Sequence, residues 1–225
     1  MGFYRIRLNT DIKVTGASGD PQVEFFGAQS ESMYEAILHF FDSRIYFERS
    51  DYVPDPAWIL RCSINKKAKL NDFVSFSPNF MGCPFIIREK VKFEIEKYNL
   101  GRHYYIPVEL FDKSILVDEK YFLFFSPLIG FEIIDFTKSL FYSGNEIVGK
   151  RHVIVNDAAD YVSRLRDGAF VTSDNLVLSN NFDKSLDLFK PRFDGIYGSE
   201  RLVKHLLTCR FTGIVISEQP RFVFS

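Results

Sequence analysis

The stretch from Ile196 to Ile216 constrains the fold more than any other part of the chain. It reads as the end of a strand, a helix, a tight turn and a new strand. Ser199 is placed to cap the helix, because its hydroxyl can accept from a first-turn N–H that has no partner within the helix. Glu200 sets an acid at the positive end of the helix dipole, while Lys204, His205 and Arg210 lie toward the negative end. Leu202, Val203, Leu206 and Leu207 recur at helical spacing and predict one apolar face. Thr212-Gly213 breaks that pattern, and Ile214-Val215-Ile216 begins a short apolar strand. None of these residues suggests bond making or breaking. The segment is a packing unit, and a chain organised around it is expected to act through its shape.

A chain of 225 residues buries roughly 70–75% of its extended surface on folding. With 46% hydrophobic residues it can build a core without staples. The 25 Phe and 11 Tyr against a single Trp, Trp58, favour strands, where flat side chains pack across a pleated surface. Lysine and arginine total 28 and aspartate and glutamate 29, a net charge of -1. That balance supplies no field to attract nucleic acid or an anionic membrane. Cys62, Cys83 and Cys209 are odd in number and far apart, so they form neither a disulfide framework nor a zinc pattern. Free thiols in a reducing compartment follow. The first ten residues alternate instead of forming an apolar leader, and the most apolar run, Tyr121 to Phe131, is too short to span a bilayer. A soluble cytoplasmic protein without cofactor or metal is expected.

Taken in order, Phe3 to Leu8 alternates as an opening strand, and Thr15 to Gln22 reads as a loop. Ser30 to Phe41 predicts a helix, with Met33, Tyr34, Ile37, Leu38 and Phe41 on one face and a Ser32–Glu35 capping box. Arg44 to Phe47 and Trp58 to Cys62 suggest strands, with Asn65 to Lys69 a basic turn and Asn71 to Gly82 irregular. Ile86 to Tyr98 fits either period, and its length and charge pairs favour helix. His103 to Leu110, Lys120 to Ser126 and Phe131 to Phe136 read as three consecutive antiparallel strands. Further strands are expected at Arg151 to Val155, Ala169 to Thr172, Asn175 to Leu178 and Ser185 to Phe189. Asn156 to Asp167 is a helix capped by Asn156 or Asp157 and stopped by Gly168. No internal repeat is visible. The fold class is α+β, a mostly antiparallel sheet with about four helices packed on it.

Candidates for chemistry are sparse. His39, His103, His152 and His205 sit at no metal-ligand spacing, and Glu35 before His39 is a lone pair. Gly16-Ala17-Ser18-Gly19 lacks the lysine and the following helix of a phosphate loop. Lys66, Lys67 and Lys69 suit a solvated turn. Asp135 and Ser139 suit a strand-end turn in which the acid caps the chain. Acidic groups at Asp112, Asp118 and Glu119, and at Asp183 and Asp187, read as solvated charge.

An ordered series of short features carries more information. Asn71-Asp72-Phe73 is followed by Pro84-Phe85-Ile86-Ile87, Tyr104-Tyr105-Ile106-Pro107-Val108, the strand Tyr121 to Ser126, and Ile134-Asp135-Phe136 with Ser139. Then come Leu186-Asp187-Leu188-Phe189-Lys190, Ile196-Tyr197-Gly198-Ser199-Glu200-Arg201-Leu202 and Phe211-Thr212-Gly213-Ile214. From Asp72 to Ile216 this order resembles the family-eleven immunity proteins of bacterial polymorphic toxin systems, first catalogued as a domain of unknown function. The resemblance divides the chain into a divergent N-terminal region, 1–70, packed on an immunity-like domain, 71–225. It gives Asp135, Ser139, Phe189, Ser199, Thr212 and Gly213 structural roles and implies no catalytic, cofactor or metal residue. The implied function is non-enzymatic neutralisation of a cognate toxin in the cytoplasm. An adaptor for another protein, or a hydrolase using Asp135 with a histidine, are the alternatives.

Overall fold

The computed structural model describes residues 2–17, 21–43, 45, 51–78, 80, 82–144, 149–169, 171–192 and 195–224. The chain begins with β1 (Gly2–Leu8) and a single-turn α1 (Ile12–Thr15), then β2 (Val23–Ala28), α2 (Glu31–Ser43) and β3 (Leu60–Ile64). Two short strands follow, β4 (Phe73–Val74) and β5 (Phe76–Ser77), then β6 (Phe85–Arg88), which runs straight into α3 (Glu89–Ile95). The hairpin strands β7 (Tyr104–Asp112), β8 (Ile115–Leu116) and β9 (Tyr121–Phe125) complete the first half. After a 3-10 turn at Phe131–Ile133 come β10 (Leu140–Ser143), β11 (Arg151–Val153), α4 (Ala158–Arg166), β12 (Val171–Leu178) and β13 (Leu188–Phe189). Finally β14 (Ile196–Ser199) enters α5 (Glu200–Thr208), and β15 (Ile214–Phe224) closes the sequence.

The strands form two sheets, ordered β4-β6-β9-β7-β3-β2-β5, with β8 on β7, and β13-β14-β1-β15-β12-β10-β11. Three pairings are parallel, β2 with β5, β3 with β7 and β12 with β15, and the rest are antiparallel. The fold is α+β, as the composition and periodicity predict, with two sheets in place of one.

The two sheets repeat one topology. Read from the β4 and β13 edges, the first five pairings run antiparallel three times, parallel, then antiparallel in both. Along the chain, β2-α2-β3-β4-β6-α3-β7-β9 matches β10-α4-β12-β13-β14-α5-β15 followed by β1. The eighth piece of the second unit is thus supplied from the other end of the chain. The expectation of no internal repeat holds for residue types and fails for architecture, because pairing sense and burial alternation define the repeat while side-chain identity does not.

Alternation of side chains across each strand gives each sheet a core of its own and a share in a middle one. Ile86, Leu123 and Leu60 pack with Ile37, Phe40 and Phe41 of α2. Phe3, Phe189, Tyr197 and Phe222 pack beside α4, whose Tyr161 borders that cluster. Between the sheets, Phe85, Ile87, Phe124 and Ile6 meet Val91 and Ile95 of α3 and Leu202, Val203 and Leu206 of α5.

Several local expectations are corrected. Ile86 to Tyr98 is both a strand and a helix, its period changing at Arg88. Phe131 to Phe136 is not a strand; its first turn is 3-10, and only Ile134 makes an isolated bridge, to Leu178. Ser30, not Ser32, caps α2, its hydroxyl accepting from Met33 N–H at 3.2 Å. Thr15 ends a helical turn instead of opening a loop, while residues 18–20 lie outside those described. Residues 44, 46 and 47 of the expected strand at Arg44 to Phe47 are also outside them. The strands expected at 169–172 and 175–178 are one strand, β12. Leu207 is exposed, since only Leu202, Val203 and Leu206 face the core.

Gly213 shows how closely the halves meet. Its φ is 91°, and a Cβ there would lie 2.0 Å from the Phe73 carbonyl oxygen. Gly168, behind α4, has φ 78° with nothing within 4 Å of such a Cβ. Gly168→Ala therefore isolates backbone strain, about 1 kcal/mol, while Gly213→Ala adds a backbone clash. A larger loss at Gly213, by at least about 1–3 kcal/mol in urea unfolding, is expected. Equal losses would mean that the Gly213 turn does not press on Phe73.

Candidate functional site

Two buried carboxylates join the repeats. Asp72 precedes β4 and is 3% exposed; Asp187 precedes β13 and is 1% exposed. Asp187 Oδ1 accepts from Ser199 Oγ at 2.6 Å, Oδ2 accepts from Asn99 N–H at 3.0 Å, and Arg201 donates to both oxygens. Asp72 Oδ2 accepts from Thr212 N–H at 2.9 Å and Thr212 Oγ1 at 3.1 Å, and Lys90 Nζ lies 2.7 Å from Oδ1. The backbones agree too: Arg88 N–H donates to the Asp72 carbonyl and Ser199 N–H to that of Asp187. Each aspartate thus holds the strand–helix junction of its own unit and the turn behind the helix of the other unit.

Burial pushes both carboxyls up, but the donors outweigh it. Lys90 and Thr212 hold Asp72 below the usual carboxylate value, and Arg201, Ser199 and Asn99 do the same for Asp187. Both therefore act as structural anions. The sequence reading of Asp187 as solvated charge is corrected, whereas the Glu119 side chain is 52% exposed as expected and pairs with Arg88 at 2.7 Å. Arg88 also donates to the Tyr121 hydroxyl, which burial raises to about 12 and keeps protonated.

The residues assigned by resemblance fall into three places. Ser199 caps α5, accepting from Leu202 N–H at 3.3 Å, and Thr212 and Gly213 form the turn on Phe73. Phe189 is 1% exposed and lies 5.0 Å from Phe3. Asp135 and Ser139 form a turn apart from these: the Ser139 hydroxyl donates to the Asp135 carbonyl at 2.8 Å and accepts from Val177 N–H at 2.9 Å. The Asp135 carboxylate takes Thr137 at 2.7 Å and Lys138 at 3.1 Å, both in its own turn. A cavity of ≈ 260 Å³ lies nearby, lined by Phe131, Phe136, Phe141, Tyr161 and Leu176 with Arg5 and Thr172.

Where the repeats meet, α3 faces α5. Glu94 Oε2 lies 2.7 Å from His205 Nε2, and Cys209 Sγ lies 3.5 Å from the same nitrogen. Among the described residues this is the group of three ligand-type side chains that converges, all its ligand atoms lying within 4.8 Å of one another. Sequence reasoning missed it because Glu94 and His205 are 111 residues apart. The four-residue step from His205 to Cys209 on one helix is the only local signal. The Cys62 and Cys83 thiols are buried, and burial raises Cys62 to about 12. His39 and His152 are exposed, and His103 Nδ1 lies 2.9 Å from the Gly101 carbonyl.

No helix among the described residues is long and apolar enough to cross a membrane. The chain matches no protein-family model, and no curated protein matches it.

Proposed function

We propose that this protein is an immunity protein, which binds a cognate toxin in the cytoplasm of the cell that makes it and blocks it without catalysis. The observation that carries the reading is the use of the ordered motif. Asp72, Asp187, Ser199, Thr212 and Gly213, which bear the resemblance, brace the two units against each other. What such a motif maintains is a contour. Rigid surfaces suit inhibition, because less ordering entropy opposes association.

The exposed end of the first sheet offers anchors. Phe26 is 53% exposed and packs on Phe111 at 5.9 Å, and Ile115 and Leu116 on β8 extend the patch. The Arg61–Glu109 ion pair borders it at 3.0 Å, giving the apolar centre and polar rim of a protein interface. Co-expression with the toxin encoded beside this chain should restore growth and give a complex on a sizing column. The double change Phe26→Asp and Ile115→Asp should abolish both while leaving the fold intact. Neither rescue nor complex with the unaltered chain would overturn the proposal.

A further inference from the structure

We propose that Glu94, His205 and Cys209 form a zinc site that ties α3 to α5. What distinguishes the group is the ring nitrogen that its partners address. In a nucleophile–base–orienter arrangement the thiol and the carboxylate would sit on opposite nitrogens of the imidazole. Here both point at Nε2, with Glu94 Oε2 at 2.7 Å and Cys209 Sγ at 3.5 Å. A carboxylate oxygen, an imidazole nitrogen and a sulfur, all within 4.8 Å of one another, make a ligand set instead of a relay.

The spacing is close to what a cation needs. With Zn–N and Zn–O near 2.0 Å and Zn–S near 2.3 Å, tetrahedral angles put nitrogen and sulfur about 3.5 Å apart and nitrogen and oxygen about 3.3 Å apart. The first distance is already met, the second requires Glu94 to withdraw by roughly 0.6 Å, and the Glu94 oxygen and Cys209 sulfur, within 4.8 Å of each other, must settle about 3.5 Å apart. Glu94 and His205 side chains are 29% and 26% exposed, so the point is reachable from solvent while partly walled. Lys97, 2.6 Å from Glu94 Oε2 and 57% exposed, can swing into water as the cation arrives. The Tyr98 ring, 5.4 Å from the imidazole, closes one side.

The donor types choose the metal. Calcium and magnesium take oxygen ligands, whereas one sulfur, one nitrogen and one oxygen suit zinc, with water in the fourth position. On binding, the Cys209 S–H bond breaks, its proton leaves to solvent and an S–Zn bond forms. The Nε2 proton that Glu94 accepts in the metal-free protein is exchanged through solvent, so the bound imidazole holds its single proton on Nδ1 and offers the Nε2 lone pair to the metal. The site sits where equivalent positions of the repeats meet, since Glu94 follows Glu89 by the same five residues that separate His205 from Glu200. Zinc there would fasten the two units at their junction.

The test uses the full chain, reduced and freed of metal by a chelator, titrated with Co²⁺ as a spectroscopic probe. One equivalent should bind, giving intense tetrahedral d–d absorption and a thiolate-to-cobalt band, both removed by one equivalent of Zn²⁺. Cys209→Ser should lose the thiolate band. His205→Ala should weaken binding by more than the roughly 10–100-fold that loss of an outer partner costs. Lys97→Ala, at an exposed position, should tighten binding, and it keeps the test decisive if the other variants fold poorly. Absence of a thiolate band in the unaltered chain, or unchanged affinity in Cys209→Ser and Lys97→Ala alike, would overturn the site.

Discussion

Asp187→Ala is expected to destabilise the protein by about 2–4 kcal/mol, the cost of leaving its hydrogen-bond donors without an acceptor. The loss does not come from the arginine. Arg201 is 62% exposed and can turn to water. It comes from Ser199 Oγ, at a residue with no exposed surface, and from the Asn99 N–H, both of which lose their acceptor. Each orphaned group costs about 1–3 kcal/mol. Asp187→Asn keeps one acceptor oxygen and should cost less. Because the folded carboxyl lies below its ordinary value, its contribution is complete above the unfolded pKa of about 3.9. It is then lost as pH falls toward and through the folded value. The unaltered chain should therefore lose stability steeply below about pH 4, and the alanine variant should show a shallower fall. Urea unfolding from pH 7 down to pH 3 measures both. A loss below about 1 kcal/mol at pH 7 would sink the bracing role, since that is what a single ordinary hydrogen bond is worth.

Phe3→Ala should cost a similar about 3–5 kcal/mol, the usual result of emptying a buried phenylalanine site. Phe3 has no exposed surface, and its ring meets Phe182 at 5.4 Å, Phe189 at 5.0 Å and Phe224 at 6.0 Å. These neighbours are anchored on different elements, so the site collapses poorly and the cavity term is large. For a chain of this length the melting temperature should drop by about 6–20 °C. A shift of under about 2 °C would mean that β1 is not held between β14 and β15.

The sequence was legible where one segment makes its own case. Ser199, Glu200 and the leucines of α5 predict cap, dipole and buried face, and all but Leu207 behave as read. Asp157 caps α4, accepting from Asp160 N–H at 2.8 Å, and Gly168 follows that helix at φ 78°. Legibility failed where the meaning of a residue depends on a distant partner. Asp187 looks like surface charge until Asn99 and Arg201 arrive, and Glu94 looks like a helix-face acid until α5 brings His205. The repeat was hidden for the same reason: its second unit is completed by residues 2–8, at the opposite end of the sequence. The period change at Arg88 was hidden because four strand residues and seven helical ones follow one another with no turn residue between them.

The placement of β1 has a consequence during synthesis. Its neighbours in the sheet are residues 196–199 and 214–224. At about 5–20 residues per second, a ribosome needs roughly 10–40 s to produce them. Once made, β1 must wait unpaired for that interval, while residues 23–125 can already assemble their own sheet. Closing so long a loop is entropically slow. The second unit can therefore mature only after residues 196–224 have been made, with β1 entering as a late insertion between two strands.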